Sequence, residues 1–192
     1  MTKTTQQKKK TEYVTEFLRG TIDFASVHSP KNKYGKENSK FPNDKEYSLT
    51  MRMDNEETLK SFKDLLKKHN APLQVKNPQT LTMVDRIRPD KNGVLKVQFK
   101  TSYVDHNGLE KELQVIDKNK KPIPKETLIG NGSEAIVAIT FSKDPTTKET
   151  KSIFLAGLQV INLKKYNGPE FSVISEGSNE SSEDELQSAS PF

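Results

Sequence analysis

Cysteine and tryptophan are missing from this 192-residue chain, and only 31% of its residues are hydrophobic. Without cysteine there is no disulfide framework and no thiolate metal site. The three histidines, His28, His69 and His106, stand at no spacing suited to a shared zinc ion. No apolar run approaches the roughly 20 residues that span a bilayer. The opening Met-Thr-Lys-Thr-Thr-Gln-Gln-Lys-Lys-Lys leads into no hydrophobic stretch of the secretory kind. A soluble, intracellular protein without a cofactor is expected. Enzyme signatures are equally scarce: there is no Gly-x-Ser-x-Gly elbow and no phosphate-binding loop of the Walker or dinucleotide type. Asp90, Asp105, Glu110, Lys111 and Glu112 have the residue types of a metal nuclease, but they surround a turn, where such residues are common. A non-enzymatic role follows.

What the chain does have is charge, unevenly placed. The net charge is +5, yet residues 170–192 hold six carboxylates and no Lys or Arg, which leaves +11 on residues 1–169. A basic body can hold a polyanion. An acidic tail can compete for the same surface or serve as a handle for a basic partner. The chain divides accordingly into a flexible basic N-terminus (1–12), a folded domain (13–169) and an acidic, disordered tail (170–192) closing on Phe192.

Within the domain, β patterning dominates. Residues from about Arg19 to His28 alternate as a strand of mixed quality, with Ile22, Phe24, Ser26 and His28 on one side. Residues 29–46 read as a long polar loop. Tyr47, Leu49, Met51 and Met53 share one face of the next strand, and Ser48, Thr50 and Arg52 the other. A helix follows over 55–69, capped by Asp54 with Glu57 in the capping-box position. Residues 71–92 have no clear period. The strongest strand sets Leu95, Val97, Phe99, Thr101 and Tyr103 against Lys96, Gln98, Lys100 and Ser102. Its Asp105-His106-Asn107-Gly108 turn predicts a hairpin with 109–116 as the return strand. Strands over 135–141 and 151–163 complete the set. Five or six strands with one helix read as a mainly β fold. A five-stranded barrel with long loops fits, and on pattern alone so do an SH3-like barrel and an immunoglobulin-like sandwich.

Single-strand binding without sequence readout needs cations along the phosphates and rings on which bases stack. The body offers both. Lys96, Gln98 and Lys100 lie on the wet face of the strongest strand, the two lysines about 13 Å apart, with Arg86 and Arg88 just upstream. Lys31, Lys33, Tyr34, Lys36, Lys40 and Phe41 interleave rings and charges in the long loop. Tyr103 stands at the strand's end, and Lys120 and Lys121 in a basic loop. Each has a blander reading: a solvated strand face, rings that anchor a loop, a core-edge tyrosine, a solvated charge run. The helix, with Lys60, Lys63, Lys67 and Lys68 outside its apolar stripe, reads best as a cap on the β body.

Two segments carry a family resemblance. One is Gly130-Asn131-Gly132-Ser133, an alternating strand, a turn, and a hydrophobic strand ending Leu158-Gln159-Val160-Ile161-Asn162-Leu163. The other is the acidic terminus closing in Pro191-Phe192; a basic N-terminus before Phe24-Ala25-Ser26-Val27 adds to them. The chain resembles the single-stranded DNA-binding proteins of T7-like tailed bacteriophages. That resemblance implies an OB-fold, a five-stranded Greek-key barrel. It also implies work in replication, recombination and repair in the cytoplasm of an infected bacterial host, and homodimers. Glu180, Glu183, Asp184, Glu185 and Phe192 of the tail would then contact a phage DNA polymerase and helicase–primase, and the tail would occlude the DNA groove. The lysine-rich loop and the lack of tryptophan depart from the group, so stacking would rest on Tyr or Phe. Two alternatives stand beside it: a non-enzymatic adaptor or virion protein, and an RNA-binding protein with the same barrel.

Overall fold

The computed structural model describes residues 10–33, 44–77, 80–105 and 107–166. In chain order the elements are β1 (Glu12–Asn32), β2 (Lys45–Arg52), α1 (Glu56–Lys68), β3 (Gln74–Lys76), β4 (Met83–Asp85), β5 (Arg88–Pro89), β6 (Leu95–Ser102), β7 (Gln114–Asp117), β8 (Ser133–Lys143) and β9 (Thr150–Asn162). Seven strands form one mixed sheet in the order β5-β6-β2-β1-β8-β9-β7, and β3 and β4 pair separately.

The five-stranded Greek-key barrel expected from the sequence is therefore not what forms. Among the described residues there are nine strands, and the main sheet is open, with β5 and β7 at its two ends. The end strands pair only inward, β5 with β6 and β7 with β9, so no ladder joins the two ends; between them β1 runs 21 residues and serves two neighbours in turn. Glu12 to Ile22 pair with β8 in unbroken antiparallel register. From Ile22 onward the strand pairs with β2, with shifts between Asp23 and Ser26 and again before Lys31. The strand thus takes in residues 29–32, expected to be loop. Residues 34–43, with Tyr34, Lys36, Lys40 and Phe41, lie outside the described residues, as do 1–9 and 167–192.

The predicted hairpin is also corrected. Beyond β6 a single bridge joins Val104 to Glu110. The returning chain then leaves β6, and β7 pairs in parallel with β9. There Val115 is buried in the core, with Leu158 of β9, also buried, as its ladder partner. The alternation expected through residues 21–28 breaks as well, since Ile22 and Val27 are both buried.

The core lies between the inward faces of β2, β6, β8 and β9 and the apolar face of α1. Phe62 of α1 meets Phe99 of β6 edge-to-face at 5.7 Å. The helix starts one residue later than expected: Asn55, not Asp54, is the cap, its Oδ1 accepting from Thr58 N at 2.6 Å, a bond of about 1 kcal/mol. Thr58 then packs over Gly20 of β1, where a Cβ would stand 3.1 Å from Thr58 Cγ2. That glycine lets helix and sheet approach closely.

Candidate nucleic-acid interface

The outward faces of β1, β2 and β6 form one polar surface. Register places Asp23 beside Thr50 and Ser26 beside Ser48. It also places Lys96, Gln98 and Lys100 beside Arg52, Thr50 and Ser48. Arg88 of β5 lies next to Lys96 and extends the row. Arg52, Lys96 and Arg88 form one cross-strand row of cations, and the hydroxyls of Ser26, Ser48 and Thr50 lie in the neighbouring rows with Gln98 and Lys100, while Tyr47, Leu49, Met51, Val97 and Phe99 face the core.

A buried carboxylate organises this surface. Asp23 is 2% exposed. Arg52 donates to it twice, Nε to Oδ2 at 2.7 Å and Nη2 to Oδ1 at 2.8 Å. Lys96 Nζ reaches Oδ2 at 3.2 Å, and the Gly132 N–H donates to Oδ1 at 3.1 Å. Burial alone would raise the Asp23 carboxyl, but Arg52 and Lys96 hold it below the ordinary carboxylate range. Lys96 is held above the usual lysine value, first by Asp90, at 2.9 Å, and then by Asp23.

The residue after this hub is Phe24. Its φ is +50°, a conformation that costs a non-glycine residue roughly 1–2 kcal/mol. Its N–H donates to Asn131 Oδ1 at 2.7 Å. The turn throws the ring outward, where it is 63% exposed, with Lys96 Nζ 5.7 Å from its centroid. A strained backbone thus presents a flat ring beside a cation at the edge of a hydroxyl-rich sheet face. Stacking with charge neutralisation is the chemistry such a group can do.

The residues singled out from the sequence fare unequally. Lys96, Gln98, Lys100 and Arg88 are brought together on this face. Lys100 is bound to Glu46 at 2.5 Å, whereas Arg88 has no ion-pair partner among the described residues. Lys31 sits exposed at the end of β1, opposite Glu46. Lys33 is tied to Asp44 at 2.5 Å. Arg86 is drawn away: its Nε donates to the Pro72 carbonyl at 2.8 Å, and burial pushes its pKa down. Tyr103 packs edge-to-face on Tyr47 at 5.9 Å, and its hydroxyl is pushed up to about 12, first by a hydrogen bond to Glu110. It is thereby built into the core's rim. Lys120 and Lys121 lie on the exposed turn after β7, at the opposite end of the sheet order from β6. The tail residues Glu180, Glu183, Asp184, Glu185 and Phe192 fall outside the described residues.

Sequence reasoning missed Phe24, Asp23 and Arg52. One signal was available. Ile22 and Val27 are both apolar but five residues apart, an odd spacing, so an inserted residue must lie between two core positions of one strand. Among the described residues no cluster of His, Asp or Glu could hold a metal ion, and no helix is long and apolar enough to cross a membrane.

No protein-family model matches the chain, and no curated protein matches it in sequence. Its structure is similar to that of gp2.5, a single-stranded DNA binding protein encoded by bacteriophage T7, with a TM-score of 0.50 at 18% sequence identity over 84% of this chain and 97% of that one. At that identity the likeness is one of fold.

Proposed function

We propose that this chain binds single-stranded DNA, without reading its sequence, on the polar face of β1, β2 and β6. The observation that carries the reading is Phe24, a strained and exposed ring beside Lys96 on a face of hydroxyls and cations. The structural likeness to a single-stranded DNA binding protein supports it. Rings supply sequence-tolerant stacking, and Arg88, Lys96, Lys100 and Lys31 supply phosphate contacts. Lys33, Tyr34, Lys36, Lys40 and Phe41 extend the path into the segment joining β1 to β2. Lys120 and Lys121 are secondary contacts.

The acidic segment 170–192, with Glu180, Glu183, Asp184, Glu185 and Phe192, competes with DNA for this face. Tethering raises its effective concentration there to the millimolar range. Once displaced, it recruits replication enzymes of a tailed phage, a polymerase and a helicase–primase. In this reading the chain protects single strands during replication, recombination and repair in an infected host.

The test is titration of poly(dT) about 30 nucleotides long, enough for at least one site, with the full chain and with a version lacking residues 175–192, at two salt concentrations. Both forms should bind, and the shortened one tighter, most visibly at low salt. Duplex should bind far more weakly. Absence of single-strand binding by both forms at low salt would overturn the reading. A matched RNA strand separates DNA binding from RNA binding, since an RNA reader uses the 2′-hydroxyl.

A further inference from the structure

On its far side Phe24 borders a cleft of ≈ 520 Å³, walled by the second half of β1 on one flank and by residues 127–131 and Tyr166 on the other. Its chemistry is uneven in an informative way. Phe24, Leu128 and Tyr166, each more than half exposed, give it an aromatic and apolar rim. Lys31 stands in the wall with no ion-pair partner among the described residues. The Asn131 Oδ1 is engaged by the Phe24 N–H, which leaves its amide N–H groups as donors without a partner among the described residues. The wall also includes His28, whose Nε2 is buried with no hydrogen-bond partner. Buried polar atoms of this kind are few in folded proteins and call for an explanation.

We propose that this cleft takes one unstacked nucleotide of the bound DNA strand, its base against Phe24 and Tyr166, an acceptor on its edge, which any base can offer, held by the Asn131 amide, and its phosphate on Lys31. The proposal rests on the single-strand reading and deepens it. The rest of the interface is an open sheet face that can only support a strand. The cleft encloses a flat ligand, and Phe24 is common to both, so the path is continuous. A base lifted from its neighbours exposes both faces and its hydrogen-bonding edge. Those are the surfaces for which rings and a free amide donor are fitted.

The experiment uses the full chain and a poly(dT) strand carrying one photoreactive iododeoxyuridine, with the cross-linked peptides mapped by mass spectrometry. Cross-links at Phe24 or Tyr166 are expected. In parallel, Tyr166→Ala should weaken poly(dT) binding about tenfold with an unchanged salt slope, as loss of a stack does. Lys31→Ala should lower that slope by about 0.7, the share of one phosphate contact on a single strand. Tyr166 lies at the exposed edge of the described fold, so its loss leaves the core intact. Cross-links only at Tyr13, Phe17 or Phe154, or unaltered affinity in Tyr166→Ala, would overturn the proposal while leaving strand binding standing. Tighter binding by Tyr166→Ala would also overturn it, by marking the cleft as the seat of the acidic segment. If the unaltered chain retains no strand, both readings fall.

Discussion

The two halves of β1 make a natural experiment. Before Ile22 the strand pairs with β8 without interruption, and its outward face carries Tyr13 and Phe17, with Phe154 of β9 nearby in the ladder. Beyond Ile22 the pairing with β2 is broken twice, and the outward side carries Phe24 and Lys31. Both halves expose rings: Phe17 is 69% and Phe24 63% exposed. They differ in what stands beside the ring. The ladder neighbour of Phe17 is Ala138, and the nearest outward cation, Arg19, is spent on Glu134 at 2.7 Å. Phe24 has Lys96 over its ring and Arg52 at the carboxylate next door. Exposure alone therefore does not distinguish a stacking platform. What sets the Phe24 half apart is irregular backbone, a buried carboxylate and gathered cations.

The most damaging way to test this contrast is to remove the carboxylate. Asp23→Asn leaves Arg52 and Lys96 facing each other without their shared anion. Unfolding in urea should show a loss of about 3 kcal/mol, the scale for breaking a buried ion pair from one side. The like change on the other half, Glu134→Gln, breaks only an exposed pair and should cost well under 1 kcal/mol. Equal losses from the two would mean that Asp23 does not organise its half. The depressed Asp23 pKa adds a sign. Its contribution is present above the ordinary carboxylate value and is lost as pH falls through the lower, folded value.

The rings come next. Phe24→Ala should weaken poly(dT) binding by about tenfold to a hundredfold, the range for one stacked base, while Phe17→Ala leaves it unchanged. Phe24→Gly separates binding from folding. Glycine accepts φ +50° without strain, so this variant should lose binding yet gain up to about 1 kcal/mol of stability. If Phe17→Ala weakens binding as much as Phe24→Ala, the functional face has been assigned to the wrong half.

The same contrast explains what could be read from the sequence. Strict alternation disclosed β2 and β6, because each has one wet and one dry face from end to end. The apolar stripe of Leu59, Phe62 and Leu66 disclosed α1. The barrel did not materialise because closure depends on which strands pair, and periodicity carries no pairing information. Residues 109–116 looked like a hairpin's return strand, but Val115 is buried beside β9 instead. Residues 71–92 gave no period because their strands are two or three residues long. On the candidate face, the common side of Lys96, Gln98 and Lys100 was legible by parity. The contacts of Arg86 with a backbone carbonyl and of Tyr103 with a neighbouring ring were not. Phe24 was hidden by an alternation that it interrupts.

Smaller effects should separate free cations from occupied ones on the same face. Arg88 has no ion-pair partner among the described residues, whereas Lys96 already serves Asp23 and Asp90. Arg88→Ala should therefore lower the salt slope of DNA binding by about 0.7, and Lys96→Ala by less. Asp90→Asn releases part of Lys96 and should tighten binding. A slope that falls as much for Lys96→Ala as for Arg88→Ala would mean that its carboxylates let go when DNA arrives.

The smallest effect concerns His28, on the irregular half. Burial pushes its pKa below the ordinary histidine value, and Lys125 adds to this, while Glu126 works in the opposite sense. A folded-state value below the unfolded one means that the fold prefers the neutral ring. Stability from this source is whole above about pH 6.5, the unfolded value, and declines as pH falls below it until the folded value is passed. His28→Gln cannot charge, so its urea midpoint should fall less than that of the unaltered chain between about pH 7 and pH 5. If the two midpoints run parallel through that window, the buried Nε2 is not the constraint that holds this imidazole neutral. Binding of a strand in the cleft works against this preference, since a phosphate beside the ring favours its charged form. Saturating poly(dT) should therefore narrow the gap between the two proteins at the acid end of the range.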